Sequence, residues 1–170
     1  LIIKGSGLRS RAVELFQRRF LEGVFAHLLA GTAPEIGALY LRFRDDILHH
    51  RWRPTMFVKR ESLQDSLATY QQKLKERKRP PTAAYELALR SGRDYQPGDP
   101  VAYYVTGNKK NVKVFEAARM ADQWKADAPD ENVTYYQAKL EDLYRKFEPF
   151  IGEAGGPSLA ELSTGQGSLL

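Results

Sequence analysis

The sequence predicts a mostly helical α+β domain with several long helices, one small antiparallel β-hairpin and a flexible C-terminal tail. Apolar residues recur at helical spacing in several long segments, which is typical of helices with one buried face. By contrast, residues 101–106 alternate in the manner of a half-buried strand. After Gly152 the composition changes to Gly, Ser, Pro and Ala with little charge, as in a flexible tether. We therefore divide the 170 residues into a leading segment at 1–7, a domain at 8–151 and a tail at 152–170.

Two helices are predicted before the first break in the pattern. The first occupies residues 8–30, where apolar side chains recur every three or four positions, and Gly31 ends it. Pro34 suits the first turn of the second helix, which extends to about residue 50. The segment 51–54 then interrupts the helical pattern.

A strand and two further helices are predicted in the middle of the chain. Residues 56–58 are apolar and read as a short strand. Ser62 resembles the first residue of a capping box, and it would begin a basic helix that the prolines at 80–81 terminate. Thr82 can cap a fourth helix, which would end at Gly92.

The last third of the domain is predicted to contain the hairpin and the longest helix. A tight turn at 97–100 precedes the alternating strand, and the pair at 107–108 is a turn signal before a return strand at 112–115. We expect a short helix at 117–124 and a long amphipathic helix at 133–151.

The charge of the chain favours a polyanionic partner such as nucleic acid. The net charge is +5 and the pI is near 9.4, with lysine and arginine spread over the whole length. There is no cysteine, which excludes disulfides, thiolate metal sites and a cysteine nucleophile. No apolar run approaches the ~20 residues that span a bilayer, so we expect a cytoplasmic protein without a membrane partner. The first residue is Leu1 and not Met, from which we expect a piece of a longer chain.

One cluster has the composition of a metal or catalytic site. Asp45 and His49, and likewise Asp46 and His50, are four residues apart, so each pair shares a helix face. A metal site needs a third and a fourth ligand, which the sequence does not supply. A solvated helix end, with the histidines near the negative end of the helix dipole, is therefore the favoured interpretation. We predict no catalytic residue, no metal site and no cofactor in these residues.

Four sequence blocks follow one another along the chain. They are Lys4-Gly5 before an arginine-rich helix start, residues 57–60 before a helix, residues 80–101 from the double proline to the tyrosine-rich strand, and residues 133–151. In order and spacing these blocks resemble the thumb domain of family B DNA polymerases, the part of those enzymes that holds primer–template duplex. The chain departs from the family pattern at Arg11, where the family has an aspartate, and at Thr82, where it has a histidine, and the glutamate usual before Arg11 is missing.

The resemblance implies a non-catalytic part of a larger polymerase. Residues 1–7 would be the end of the palm and residues 8–151 the thumb. The metal-binding aspartates and the exonuclease carboxylates of the family would lie in the preceding parts, where Mg is expected in the parent enzyme. The implied partners are primer–template duplex DNA and the remainder of the polymerase, namely palm, fingers and exonuclease, in a bacterial cytoplasm at the nucleoid.

Cationic side chains are the predicted DNA ligands, because a thumb holds phosphates and need not read bases. Arg9 matches the family's motif arginine, and with Arg11 it would combine its charge with a helix N-terminus. For Tyr103 and Tyr104 we expect at least one ring in the core, with base stacking as the less favoured role. For any single basic residue, solvated surface charge is the alternative to DNA binding. The two other predicted groups of DNA ligands are Lys59 with Arg60, and Lys73, Lys75, Arg77, Lys78 with Arg79.

The last five residues resemble the peptide by which bacterial polymerases bind the sliding clamp. Gln166 is followed by small residues and by Leu169 and Leu170. Two leucines at the end of a Gly/Ser-rich tether have no core to join, so an external apolar pocket would bind them. The sliding clamp is therefore a predicted partner.

Two other functions stay open on the sequence. A stand-alone basic helical adaptor that binds a protein partner, with no polymerase attached, would have the same composition and helical pattern. An RNA-binding module is less favoured, because the chain has no RRM or KH signature.

Overall fold

A computed structural model describes the backbone of residues 13–168 and the side chains of residues 13–163. The predicted fold class is confirmed, because this part of the chain is mostly helical and has one small antiparallel sheet. The helices are α1 (Leu15–Ala30), α2 (Ile36–Leu48), α3 (Leu67–Lys75), α4 (Ala83–Ser91), α5 (Val114–Ala117), α6 (Val133–Glu153) and α7 (Leu159–Ser168). The strands are β1 (Lys59–Ser62), β2 (Pro100–Val105) and β3 (Ala118–Met120).

The sheet has the order β1-β2-β3 and separates two hydrophobic cores. Because successive strand residues point to opposite faces, β2 places Tyr103 in one core and Tyr104 in the other. The larger core is built mainly by α1, α2 and α6. The smaller core contains Tyr70 of α3 and Tyr85 of α4. The central strand therefore joins the two halves of the domain.

The first two helices lie close to their predicted positions. Gly31 has a φ of 74° and caps the end of α1, and Pro34 lies in a 3-10 turn directly before α2. The predicted first helix included Val13 and Glu14, but both precede α1. Its remaining predicted part, residues 8–12, lies outside the described residues.

The third helix begins later than predicted. Ser66 caps it, because its Oγ accepts a hydrogen bond from the Thr69 N–H at 3.1 Å. Ser62 belongs to β1 instead. The N–H groups of residues 64 and 65 both donate to the hydroxyl of Tyr85 at 2.9 Å, which ties the segment between β1 and α3 to α4.

The third helix also ends earlier than predicted, at Lys75 and not at the prolines 80–81. Arg77 adopts a left-handed φ of 56°, and the Lys78 N–H donates to the Lys73 carbonyl at 2.9 Å. The helix therefore ends before it reaches the prolines at 80–81, and the prolines do not terminate it. The fourth helix has the predicted ends, with Thr82 before its first turn and Gly92 after its last.

The central strand β2 lies where the sequence predicts it, but the strands expected before and after it are wrongly placed. Residues 54–56 form a 3-10 turn, and the strand begins only at Lys59. The return strand expected at 112–115 is replaced by α5, and the helix expected at 117–124 by β3 and a 3-10 turn. The side chain of Asn132 explains the longer connection, because its Nδ2 donates to two carbonyls of the loop after β2 and holds that loop against the start of α6.

The final long helix is confirmed, and part of the segment after it is packed. In contrast to the expected flexible tail, α7 contacts α6 and buries Leu159 and Leu162 in the larger core. The Tyr144 hydroxyl donates to the Pro157 carbonyl at 2.6 Å, which holds the connection between the helices. Across the described residues, no helix combines the length and the apolar character that a membrane crossing requires.

Candidate nucleic-acid interface

An open cleft lies between the start of α1 and strand β1. Its volume is about 320 Å³, and its lining includes Val13, Leu15 and Arg18 from the start of α1, together with Thr55 and Arg60. Leu15 and Arg18 are three residues apart and therefore share a helix face. The cleft is thus lined by two arginines that are far apart in the sequence.

The two arginines of the cleft have no acidic partner. Within the described residues, no Asp or Glu oxygen lies within 4.0 Å of the Arg18 or Arg60 side-chain nitrogens. Arg19, the next residue of α1, differs because its Nη1 lies 3.6 Å from Glu22 Oε2. Arg18 and Arg60 can therefore donate to a bound anion without breaking an ion pair.

A buried ion pair fixes the start of α1, and with it the position of Arg18. Glu14 is only 1% exposed, and its carboxylate accepts hydrogen bonds from Lys139 Nζ and Gln17 Nε2, both at 2.8 Å. Lys139 belongs to α6, so the pair anchors the beginning of α1 on that helix. The cleft therefore has one rigid wall.

The first two predicted basic groups are only partly tested. Arg60 lines the cleft, whereas Lys59 points to the opposite face of the sheet because adjacent strand residues alternate. Arg9 and Arg11 lie outside the described residues. They precede Val13, which lines the cleft, by four and two positions in the sequence.

The predicted basic group at the end of α3 and just after it is not a single uniform surface. Lys73 and Lys78 each form a short ion pair with a nearby carboxylate, at 2.8 and 2.9 Å. Lys75 and Arg77 are exposed, and among the described residues neither has a carboxylate within 4.0 Å. Of these four, Lys75 and Arg77 are the better candidates for DNA phosphates.

Arg79 lies against a stacked pair of tyrosines. The rings of Tyr70 and Tyr85 are nearly parallel with centroids 4.3 Å apart, and the Arg79 guanidinium carbon lies 4.7 and 4.6 Å from those centroids. Arg79 Nη2 also donates to Thr82 Oγ1 at 3.1 Å. Cation–π attraction and hydrogen bonding thus give this arginine a structural role between α3 and α4.

Both tyrosines of the central strand are in the core. Tyr103 is 3% exposed and donates to Glu61 Oε1 at 2.8 Å, and Tyr104 is fully buried and donates to Asp130 Oδ1 at 2.6 Å. Burial raises the pKa of both phenols above the ordinary value. The core interpretation is confirmed for both rings, which are inaccessible for base stacking.

The histidines at the end of α2 have different partners. His49 Nδ1 lies 3.4 Å from Asp45 Oδ1, as the i,i+4 spacing predicts. His50 instead lies 3.0 Å from Oε2 of the buried Glu131, whose other oxygen accepts from Trp124 Nε1 at 2.8 Å. His50 is therefore only partly solvated, whereas His49 is exposed. In the described part of the chain, no three His, Cys, Asp or Glu side chains form a group that could hold a metal ion.

The clamp-binding prediction lies at the edge of the described residues. Gln166 falls within the backbone of α7. Leu169 and Leu170 lie outside the described residues, so the prediction for the peptide stays a prediction.

Arg18 is the candidate ligand that sequence reasoning missed. Arg18 and Arg19 are adjacent arginines on the polar surface of the first helix, and composition does not distinguish them. Glu22 lies four residues after Arg18 and three after Arg19, so helical spacing allows it to pair with either. Only the structure shows that it lies beside Arg19.

No protein-family model matches the sequence, and no curated protein matches it significantly. The function of the chain is consequently inferred from its own residues and their geometry.

Proposed function

We propose that the chain is the C-terminal thumb part of a family B DNA polymerase, most like bacterial DNA polymerase II, and that it holds primer–template duplex through the phosphate backbone. The observation that carries the proposal is the cleft in which Arg18 and Arg60 lie without a carboxylate partner. Val13 lines the same cleft, and the arginines Arg9 and Arg11 immediately precede it in the sequence. The segment that resembles the family's entry into the thumb is therefore adjacent in sequence to a residue of this cleft.

The distribution of charge also supports backbone binding. Contacts to phosphates need cations and donors at the surface, and they need no base-reading side chains. The chain has a net charge of +5, and Lys75 and Arg77 add exposed cations outside the cleft. In this proposal the chain positions the duplex and the parent enzyme's palm, with its Mg ions, performs nucleotidyl transfer.

The salt dependence of binding to a short DNA duplex tests the proposal. If about four phosphates are neutralised, log K plotted against log salt has a slope of about −3 to −4. Replacing both cleft arginines, Arg18→Gln with Arg60→Gln, should make that slope shallower by about 2. The control is Arg19→Gln, because Arg19 is an exposed arginine of the same helix that does not line the cleft, and we expect a smaller change of slope.

Two outcomes would contradict the contact model. The first is a slope near zero for the unmodified chain, which would mean that no phosphates are neutralised. The second is an equal change of slope in the Arg19→Gln control, which would mean that the cleft has no special role.

Docking on a sliding clamp is the second part of the proposed function. Leu159 and Leu162 anchor the first half of α7 in the core, and the terminal peptide begins within the second half of this helix. Binding of Leu169 and Leu170 to a clamp would raise the effective concentration of the polymerase at DNA without changing its chemistry. Deletion of residues 166–170 should abolish clamp capture and leave duplex affinity intact. Unchanged capture would refute this part of the proposal.

The reading frame upstream of Leu1 tests the assignment to a polymerase directly. Paired palm aspartates just before this segment, in a Tyr-x-Asp-Thr-Asp-like setting, would support a thumb joined to its catalytic domain. A start codon immediately before Leu1 would oppose it and would favour the adaptor function.

The stand-alone adaptor is the second candidate, and an exposed apolar patch favours it. Leu29 is 80% exposed and Phe150 is 52% exposed. The Phe147 ring lies 5.5 Å from the Phe25 ring and 6.5 Å from the Phe150 ring, which makes the patch continuous between α1 and α6. Apolar patches of this kind mark protein-binding surfaces.

A further inference from the structure

A second cleft, lined by three arginines, lies at the end of α4 beside the edge strand β3. Its volume is about 350 Å³, which lies within the range of small-molecule sites. The arginines come from three different elements, namely Arg90 from α4, Arg93 from the loop after it, and Arg119 from β3. None of the lining residues is acidic; the others are Leu87, Ser91, Ala118, Met120 and Gln123.

The contacts of the three guanidiniums leave donors free. Arg93 Nη2 donates to Asp122 at 3.0 Å, and Arg119 donates through Nη1 to Asp130 at 2.7 Å and through Nε to Gln123 at 3.3 Å. Arg90 makes only a long contact of 3.4 Å to a carbonyl, and within the described residues no carboxylate lies within 4.0 Å of it. A guanidinium has five N–H donors, so each of the three retains several.

The charge around the cleft is unbalanced. Three positive side chains face two negative ones, because only Asp122 and Asp130 pair with the arginines. Asp130 also accepts a hydrogen bond from the buried Tyr104 hydroxyl at 2.6 Å, so the core holds that carboxylate and with it Arg119. These ion pairs fix the orientation of two guanidiniums, and Arg90 carries the remaining positive charge.

We infer that this three-arginine cleft binds a phosphate group. Guanidiniums match the geometry of phosphate oxygens with paired N–H donors, and three of them around one open cleft can each donate to the same anion. Ser91 and Gln123 are further polar groups of the lining. The site is distinct from the cleft of Arg18 and Arg60, so its occupation does not require the proposed function to be correct.

Titration of the intact chain with inorganic phosphate tests the inference. The Nε–H NMR signals of Arg90, Arg93 and Arg119 should shift together and saturate with one dissociation constant. An equal ionic strength of chloride should not reproduce the saturation. In Arg90→Gln, the signals of Arg93 and Arg119 should need at least a tenfold higher phosphate concentration to saturate, since the unpaired charge is lost.

The matched control is Arg42→Gln on α2, which removes one exposed arginine that does not line the cleft. This variant should bind phosphate with the affinity of the unmodified chain. Thermal melting shows whether Arg90→Gln is folded. The variant Arg90→Lys keeps the positive charge, so it should bind phosphate more tightly than Arg90→Gln if charge is the cause. Shifts that do not saturate, or an Arg42→Gln effect as large as that of Arg90→Gln, would overturn the inference.

A short DNA duplex then identifies the source of the phosphate. If the duplex displaces phosphate and shifts the same three arginine signals, the site takes a nucleic-acid backbone phosphate. If the duplex leaves those signals unchanged while phosphate still saturates them, the site takes a small phosphorylated molecule. Failure of duplex binding at the first cleft changes neither the phosphate titration nor its meaning.

Discussion

Arg77 occupies a position at the end of α3 where glycine is the usual residue. Its φ is 56°, and its N–H donates to the Leu74 carbonyl at 3.1 Å, while the Lys78 N–H donates to the Lys73 carbonyl at 2.9 Å. The two bonds form a Schellman motif. A left-handed backbone costs a residue with a Cβ roughly 1–2 kcal/mol, so the arginine side chain is present at the expense of stability. Its exposure and lack of an acidic partner are consistent with a role in binding.

The variant Arg77→Gly separates the two roles of this residue. We expect the free energy of unfolding to rise by about 1 kcal/mol, because glycine adopts a positive φ without strain. We also expect weaker duplex binding, with a salt slope shallower by about 1, if the guanidinium contacts a phosphate. Chemical denaturation and duplex titration measure the two effects. The control Arg77→Gln keeps the strained backbone and removes the charge, so it should change only binding.

The Glu14–Lys139 pair permits a second test at the residue scale. Lys139→Met leaves the Glu14 carboxylate buried without its counter-charge, which we expect to lower the free energy of unfolding by about 2–4 kcal/mol. Lys146→Met, on the exposed side of the same helix, should change it by less than about 0.5 kcal/mol. Urea denaturation of both variants measures the two free energies of unfolding. Equal stabilities would show that the pair does not anchor α1.

At the scale of elements, the sequence predicted those helices whose signal is local. α1, α2, α4 and α6 carry a regular apolar period, and their ends have recognisable residues such as Gly31 and Gly92. The central strand was also predicted close to its observed position, Pro100–Val105, but the strands on either side of it were misplaced. β1 pairs with β2 through the register of Lys59 with Tyr103, which no local pattern contains.

The same distinction applies to the candidate site. Arg60 was predicted because a basic pair before a helix is visible in the sequence. Arg18 was not predicted, because only the fold shows that it lines the same cleft as Arg60 and could bind DNA there. Likewise, the three arginines of the second cleft come from separate elements, and only the position of β3 brings them together.

The contact between α2 and α7 can be tested by replacing two helical glycines with alanine, one at the contact and one away from it. A Cβ on Gly37 would lie 3.0 Å from Leu162 Cδ2 and from Pro157 Cγ, whereas a Cβ on Gly152 would meet nothing within 4 Å. We expect Gly37→Ala to lower the free energy of unfolding by about 1–3 kcal/mol, because both Leu162 and Pro157 would have to shift to admit the methyl group. Gly152→Ala should raise it by about 0.5–1 kcal/mol through helix propensity.

Denaturation of the two glycine variants, together with hydrogen exchange of α7, measures this effect. Faster exchange in α7 of Gly37→Ala alone would locate the loss at the contact. If Gly37→Ala is as stable as Gly152→Ala, α7 does not pack on α2 in solution.

At the scale of the whole molecule, tyrosines connect elements on both sides of the sheet. The Tyr136 hydroxyl of α6 accepts from the Val105 N–H of β2 at 2.8 Å, and the Tyr70 hydroxyl of α3 donates to Glu86 of α4 at 2.8 Å. Burial raises the pKa of the phenols in both cores above the ordinary value. The two halves of the domain should therefore respond together when these groups ionise.

Alkaline unfolding is the expected consequence for the whole fold. Burial raises the pKa of Tyr40 to about 12, whereas an unfolded tyrosine titrates near pH 10. The folded state therefore holds the proton more tightly, and the stabilisation is fully present below about pH 10 and lost as the pH rises through about 12. A difference of about two pKa units corresponds to about 3 kcal/mol for one tyrosine.

We expect a clearly lower free energy of unfolding at about pH 11 than at about pH 8, with tyrosinate absorbance appearing together with unfolding. Tyr40→Phe should reduce this alkaline loss, because it removes one titrating group. Tyrosinate absorbance that develops near pH 10 in a fully folded chain would show instead that water reaches these hydroxyls.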